Sequence, residues 1–89
     1  MEILLSKEFR DNFSCLDKQI QKWADKQIMI FKNNPFHPSL HTEKLSPKTK
    51  EVWSFRIDKK YRVIFRFINK SNILFLTVGP HGWIYKIKF

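Results

Sequence analysis

Three arginines stand in the stretch VWSFRIDKKYRVIFRF, residues 52–67, among aromatic and β-branched side chains. One histidine, His81, follows in the segment VGPH. A guanidinium group keeps its positive charge, whereas an imidazole gains or loses a proton near neutral pH. If these groups share one surface, they combine a clamp for an anion such as phosphate with a group that transfers a proton.

The strands around these residues decide whether the side chains meet. Alternating patterns predict strands over about residues 52–57, 61–68 and 73–78, joined by the polar turns DKK and NKSN. If DKK is a three-residue loop, Arg56 lies opposite Arg62. If NKSN is a four-residue loop, Ile68 pairs with Ile73, and Arg62 lies opposite Gly79.

The period of two then divides the side chains between the two faces of the sheet. The uncharged face is predicted to be core and carries Trp53, Phe55, Ile57, Tyr61, Val63, Phe65, Phe67, Leu74, Leu76 and Val78. The other face is expected to meet solvent or a ligand and carries Ser54, Arg56, Arg62, Ile64, Arg66, Thr77 and, past the third strand, His81. Two opposed arginines cost roughly 0.2–1 kcal/mol, which an anion between them would offset. The alternative is a solvated face over which each arginine simply extends.

The N-terminal part of the chain predicts two helices that can cover the apolar face. Residues 1–5 are a short strand candidate, and Phe9 and Phe13 at i,i+4 predict a brief first helix. Ser14 followed by Asp17 resembles a capping box that opens a second helix, which is expected to run to about Lys32. Its apolar stripe is predicted to contain Leu16, Ile20, Trp23, Ala24, Ile30 and Phe31, with Met29 pointing away.

The remaining segments are predicted to be irregular or short. Residues 33–50 hold three prolines and are expected to form a loop that walls a site. The tail WIYKIKF, residues 83–89, is expected to be a further strand or an extended arm.

Composition predicts one basic domain. The chain has 89 residues, 43% of them hydrophobic, and 17 Lys and Arg against 8 Asp and Glu, which gives a net charge of +9. Such a charge favours nucleic acid or an acidic protein as the partner. Cys15 stands alone and can form no internal disulfide, and no apolar run is long enough for a signal peptide or membrane span, so a cytoplasmic protein without membrane partners is expected.

The ordered set WSFRI, YRVIF and VGPH, preceded by NPFHPSLHTEKL, resembles the RelE/ParE superfamily of bacterial toxins, and within it the YoeB and YafQ-like branch. This resemblance implies an α+β fold in which two N-terminal helices pack on one face of a small, mainly antiparallel sheet. It also implies a cytoplasmic endoribonuclease that cleaves mRNA in the ribosomal A site with no metal or cofactor. The implied partner is an acidic antitoxin protein.

The resemblance also implies roles for individual residues. Arg62 matches the catalytic arginine, His81 the near-terminal histidine, Glu43 a carboxylate base, and Tyr85 a late tyrosine. Phosphate or RNA contacts are implied for Arg56, Arg66, Lys44, Lys48, Lys50, Lys59 and Lys60. Whether Glu43 or His81 is the base stays open.

Two other functions are compatible with parts of the sequence, and a third possibility, a zinc site, is disfavoured. A ParE-like inhibitor of DNA gyrase would share the fold without needing the acid and base groups, and a non-catalytic RNA-binding module would need only the basic face. A zinc site built on His37, His41 and His81 is disfavoured, because Pro38 prevents a helical i,i+4 presentation and no cysteine or carboxylate completes the set.

Overall fold

The computed structural model describes residues 1–45 and 52–84, with the last two residues described by their backbone alone. The chain forms, in order, β1 (Glu2–Leu5), α1 (Lys7–Ser14), α2 (Lys18–Asn33), a 3-10 turn (Pro38–Leu40), β2 (Glu43–Lys44), β3 (Trp53–Arg56), β4 (Tyr61–Phe67), β5 (Asn72–Pro80) and α3 (His81–Ile84).

The strands form one sheet in the order β1-β5-β4-β3-β2. Strand β1 pairs with β5 in parallel, and the other three pairs are antiparallel. Helices α1 and α2 both pack their apolar side chains on one face of this sheet. The predicted α+β fold, two helices on a mainly antiparallel sheet, is therefore confirmed.

The helix that was predicted to begin at Ser14 begins later. Ser14 is the last residue of α1, and its hydroxyl donates to the carbonyl of Asp11 at 2.7 Å. The side chain is thereby used within the first helix, as serines in helices often are. Asp17 precedes the first residue of α2 instead.

Helix α2 buries Ile20, Ala24, Gln27 and Phe31, which recur at the spacing of one helical face. Trp23 was predicted to belong to this stripe, but its side chain is 42% exposed, because it lies on the flank of the buried line. Met29 points away as predicted and is 60% exposed.

The turn between β3 and β4 has the predicted register. Arg56 lies opposite Arg62, and the N–H of Ile57 donates to the carbonyl of Tyr61 at 3.0 Å. The loop is therefore DKK, residues 58–60.

The register between β4 and β5 was predicted only in part. Arg62 lies opposite Gly79 as expected, but the pairing shifts by one residue between Ile64 and Phe65. Phe65 consequently pairs with Phe75, and the predicted pair of Ile68 with Ile73 does not form. A β-bulge of this kind reverses which side chains face the core.

The bulge corrects the predicted core. Leu74 and Leu76, which were assigned to it, are half-buried, and Leu76 packs on the opposite face. Ile73 and Phe75 occupy the core in their place, with 2% and 0% exposure.

We call the sheet face covered by α1 and α2 the helix-bearing face. Phe31 lies at its centre, with ring centroids 4.8 Å from Phe55, 4.9 Å from Phe65 and 5.5 Å from Phe75. Aromatic rings at these separations contribute packing energy beyond the area that they bury.

Two predictions for irregular segments need correction. The segment 33–50 was predicted to be a loop, but its described part contains the 3-10 turn and β2. The tail, residues 83–89, was predicted to be a strand or arm, but residues 83 and 84 belong to the short helix α3, and residues 85–89 lie outside the described residues. No helix among the described residues is long and apolar enough to cross a membrane.

Candidate functional site: the arginine face of the sheet

The face opposite the helices carries the basic side chains of β3 and β4, and we call it the arginine face. Ile57 and Tyr61 form a hydrogen-bonded position, so Arg56 and Arg62 occupy the adjacent non-hydrogen-bonded position. Side chains approach more closely at such positions than at the alternating ones. The predicted pair of like charges therefore exists, at one end of the arginine face.

Arg62 is held against the turn that joins β3 and β4. Its Nη1 donates to the carbonyl of Asp58 at 2.6 Å and to that of Tyr61 at 3.1 Å. Its side chain is only 8% exposed, which corrects the expected solvent-facing position. Burial and two carbonyl partners fix the guanidinium in one orientation, as electrostatic stabilisation of a reacting group requires.

The turn itself is rigid because Asp58 closes it. Asp58 Oδ1 accepts hydrogen bonds from the backbone N–H of Lys60 at 2.9 Å and of Tyr61 at 2.8 Å. An aspartate that accepts from the backbone two and three residues later stabilises a turn. Lys59 and Lys60 are both exposed at its tip.

Glu43 lies on the same face, one row of side chains away from the arginine pair. Strand β2 pairs Glu43 with Ser54, and the neighbouring strands continue this row to Ile64 and Thr77. Residues directly opposite each other point to the same side of a sheet. The row is two residues along β3 from Arg56, about 7 Å at the usual rise of a strand. Glu43 is exposed and lies diagonal to Arg56 on this face.

The middle of the arginine face is apolar, not solvated. Ile64 is 0% exposed and Val52 is 2% exposed, and the partly buried Leu45 and Leu76 pack against them. This small cluster separates the arginine pair from Arg66, which follows Ile64 by two residues on the same face. The expectation of an open polar face is therefore wrong in its centre.

His81 lies just beyond the ladder of β4 and β5. Tyr61 pairs with Pro80, and the N–H of His81 donates to the carbonyl of Lys60. His81 is exposed and is the first residue of α3, so strand alternation does not set the direction of its side chain. Its backbone is fixed next to the turn that also holds Arg62.

Three buried polar atoms on the arginine face have no hydrogen-bond partner among the described residues. They are Ser54 Oγ, Arg56 Nε and Arg66 Nε; a fourth such atom, Trp53 Nε1, lies on the helix-bearing side. Buried donors are almost always paired in folded proteins, so such atoms call for an explanation. Because these atoms are closed to solvent, a ligand could supply an acceptor to them only if neighbouring side chains move.

Ser54 is the residue that the sequence did not single out for the site. It is 1% exposed and lies between Glu43 and Ile64 in the same row. Its position could have indicated a role, because Ser54 lies two residues before Arg56 and the alternation had already placed it on the same face.

The other predicted contacts divide into two groups. Lys59 and Lys60 lie at the turn beside Arg62, whereas Lys44 pairs with Trp53 and so belongs to the helix-bearing side. The structure does not bring Lys44 together with the arginines. Lys48, Lys50 and Tyr85 fall outside the described residues.

Within residues 1–45 and 52–84, no group of three His, Cys, Asp or Glu side chains is arranged to hold a metal ion. Nδ1 of His37 accepts a hydrogen bond from the N–H of Ser39 at 3.1 Å and lies 3.0 Å from its hydroxyl. His37 therefore caps the 3-10 turn locally.

Comparison with known families finds one matching family model. Residues 30–81 match the model of HigB-like toxins, described as the RelE-like toxin of the type II toxin-antitoxin system HigB. This segment contains Glu43, Arg56, Arg62 and His81. No curated protein matches the chain.

Solved structures share the fold. The YoeB/ParE toxin from Agrobacterium tumefaciens is 19% identical with a TM-score of 0.75, covering 91% of this chain and 99% of that one. YafQ from E. coli strain BL21(DE3) is 14% identical with a TM-score of 0.76, covering 94% and 97%. In the archaeal RelE-RelB complex from Pyrococcus horikoshii OT3 the match is 19% identical with a TM-score of 0.73, covering 91% and 94%. These likenesses confirm the predicted RelE-like fold.

Proposed function

This chain belongs to the HigB-like family of RelE-like toxins of type II toxin-antitoxin systems, and from that premise we propose that it is an endoribonuclease that cleaves mRNA on the ribosome. The observation that carries the proposal is the opposition of Arg56 and Arg62 on one face of the sheet, with Arg62 fixed by two backbone carbonyls. A phosphodiester offers both negative charge and acceptor oxygens to such a surface.

RNA carries its own nucleophile, which limits what the protein must supply. The 2′-oxygen attacks the adjacent phosphorus as its proton leaves, the new O–P bond forms, and the bond from phosphorus to the 5′-oxygen breaks. The departing 5′-oxygen takes up a proton, and a 2′,3′-cyclic phosphate remains. A base, an acid and a stabiliser of the phosphorane-like charge are sufficient, so the proposed reaction is metal-independent.

Arg62 stabilises the charge on phosphorus, with help from Arg56. Burial of Arg62 and its two bonds to backbone carbonyls support this role, because a group that is already oriented needs no rearrangement during the reaction. Removing one such stabilising donor commonly lowers the rate by about 10²–10³.

Glu43 acts as the base and His81 as the acid in the first form of this proposal. Support for Glu43 comes from its row beside Ser54, on the side of the sheet that carries the arginines. Support for His81 comes from its backbone bond to Lys60, at the turn that also binds Arg62. In an alternative form of the mechanism, His81 is the base instead of Glu43. Tyr85 is retained as a further catalytic candidate on the family resemblance alone.

Basic residues around the pair would hold the RNA backbone. We assign this role to Arg66, Lys59 and Lys60, and from the sequence alone to Lys48 and Lys50. The net charge of +9 supports a polyanionic substrate.

An acidic antitoxin is the proposed protein partner. The Pyrococcus horikoshii toxin of the same fold was solved as a RelE-RelB complex. An acidic segment that folds onto the arginine face would pair its carboxylates with the same arginines that RNA would contact, and would block the site.

Mapping mRNA 5′ ends after inducible expression tests the proposal. We expect new 5′ ends within translated messages, unchanged by chelation of metal ions in lysates. His81 is exposed, and His81→Ala should lower cleavage by about 10²–10⁴ in a protein that still folds, as a cooperative thermal unfolding curve would show.

Arg62 needs a gentler test because it also binds the turn. Arg62→Lys keeps the charge but loses the fixed planar fork, so cleavage should fall at least tenfold in a folded protein. Full cleavage by the double variant Arg62→Lys, His81→Ala would rule out the proposed mechanism. Intact mRNA together with gyrase-linked DNA breaks would instead assign the chain to the gyrase-inhibiting class.

A further inference from the structure

Trp23 is an exposed aromatic side chain beside the turn that binds the Arg62 side chain. The side chain is 42% exposed although it lies one residue before the fully buried Ala24. Large aromatic side chains usually bury this surface, and an exposed tryptophan close to a ligand site is a common contact for that ligand.

Helix α2 places Trp23 there through a specific anchor. Gln27 Nε2 donates to the carbonyl of Arg56 at 2.8 Å and to that of Ser39 at 3.1 Å. This fixes α2 over the end of β3. Trp23 lies one helical turn before Gln27 and therefore reaches the residues that follow Arg56.

Two open hollows adjoin the Trp23 ring. The larger, of about 530 Å³, is lined by Trp23, Tyr61, Lys59 and Lys60 among others, and the smaller, of about 260 Å³, by Trp23 and Lys26 among others. The larger volume lies within the range of small-ligand sites.

The charges around these hollows favour an anion. Lys26, Lys59 and Lys60 are exposed there, against two carboxylates, Asp17 and Asp58. Asp58 already accepts two backbone hydrogen bonds through Oδ1, so part of its acceptor capacity is used within the turn.

The larger hollow adjoins the turn that also binds Arg62. Asp58 and Tyr61 line the larger hollow, and their carbonyls accept the hydrogen bonds from Arg62 Nη1. A single-stranded RNA that extends from the arginine pair past Lys59 and Lys60 would therefore reach Trp23. Aromatic side chains next to basic groups are the usual platform for unpaired bases.

We propose that Trp23, with Lys59 and Lys60, forms a stacking site for an unpaired base of the RNA that lies across the arginine face. The inference rests on the proposed function, because it takes single-stranded RNA as the ligand. It extends the site from the arginine face around the β3–β4 turn to the flank of α2.

Binding of a short 2′-O-methyl RNA measures the stacking without cleavage, since the blocked 2′-oxygen cannot attack phosphorus. The full-length chain should bind this probe, and Trp23→Leu should bind it roughly tenfold more weakly, within the range for loss of one base stack. Trp23→Phe keeps a ring and should retain most of the affinity. Met29→Leu, an exposed apolar position elsewhere on α2, is the matched control and should bind like the unchanged protein.

The salt dependence of binding separates the two lysines from the ring. Lys59→Gln and Lys60→Gln should each lower the slope of log affinity against log salt by roughly 0.7, as expected for one lost phosphate contact to a single strand. Lys70→Gln, in the turn at the opposite end of β4, should leave the slope unchanged. Trp23→Leu should lower affinity with little change in slope.

Several results would overturn the proposal. Unchanged RNA affinity of Trp23→Leu, or equal losses in the leucine and phenylalanine variants, would remove the stacking role. Loss of antitoxin binding with RNA binding intact would assign this surface to the protein partner. If Trp23 contributes to binding of the probe but natural mRNA is not cut, the proposed nuclease fails while the stacking site stands.

Discussion

The helix-bearing face and the arginine face are both largely buried, but they differ in how many buried polar atoms lack a hydrogen-bond partner. On the first, Phe31, Phe55, Phe65 and Phe75 are 0% exposed and pack ring against ring. On the second, apolar residues such as Ile64 alternate with buried polar atoms, three of which have no partner among the described residues, against one, Trp53 Nε1, on the helix-bearing side.

The difference shows which part of the molecule is built for stability and which for a ligand. A buried donor without a partner lowers the free energy of unfolding by roughly 1–3 kcal/mol, so selection for stability alone would not retain it. Departures from good packing of this kind are typical of functional sites. The proposed roles of Arg56 and Arg66 in RNA binding agree with that interpretation.

The largest expected effect is on the helix-bearing face. Phe31→Ala should lower the free energy of unfolding by about 3–5 kcal/mol, because it removes the ring that contacts three other phenylalanines. Chemical denaturation monitored by circular dichroism measures the loss. Met29→Ala, two residues earlier and 60% exposed, is the control and should stay within about 0.5 kcal/mol. A loss of under 1 kcal/mol in Phe31→Ala would show that the rings do not form the main core.

This division between the faces was partly visible in the sequence. The loop DKK is short enough to fix the register of β3 and β4, so the opposition of Arg56 and Arg62 was predicted from the loop length. The register of the second hairpin, β4 and β5, was harder to predict. The segment ILFLTV is apolar on both sides of the chain, so no pattern marks the bulge that exchanges Leu76 for Phe75.

What the sequence did not show about the predicted site residues is their structural setting, which depends on strand pairing and on main-chain acceptors. Glu43 becomes part of a strand only through its pairing with Ser54, which local sequence does not encode. The burial of Arg62 depends on the carbonyls of Asp58 and Tyr61. Every residue has a main-chain carbonyl, so the sequence does not reveal which carbonyls bind this arginine. Trp23 satisfied the helical period but lies on the flank of the buried line.

An intermediate effect is expected where a polar atom on the arginine face does have a partner. Thr77 is 0% exposed, and its Oγ1 accepts a hydrogen bond from Asn12 Nδ2 at 2.9 Å. Thr77→Val keeps the shape and leaves the amide unpaired, so the protein should lose about 1–2 kcal/mol in stability. In a thermodynamic cycle with Asn12→Ala the two changes should be less than additive. Full additivity would mean that this hydrogen bond does not stabilise the protein.

The smallest expected effect, and the one that distinguishes the two kinds of polar atom, is at Ser54. This hydroxyl lies in the same row as Thr77 and is equally buried, but its Oγ has no partner among the described residues. Ser54→Ala removes an unpaired group, which should raise stability, although alanine's weaker preference for strands reduces the gain to at most about 1 kcal/mol. Thermal unfolding measures this change, and affinity for the 2′-O-methyl RNA should fall in the same variant. A stability loss equal to that of Thr77→Val would contradict the argument, because it would mean that the hydroxyl of Ser54 serves the fold and not a ligand.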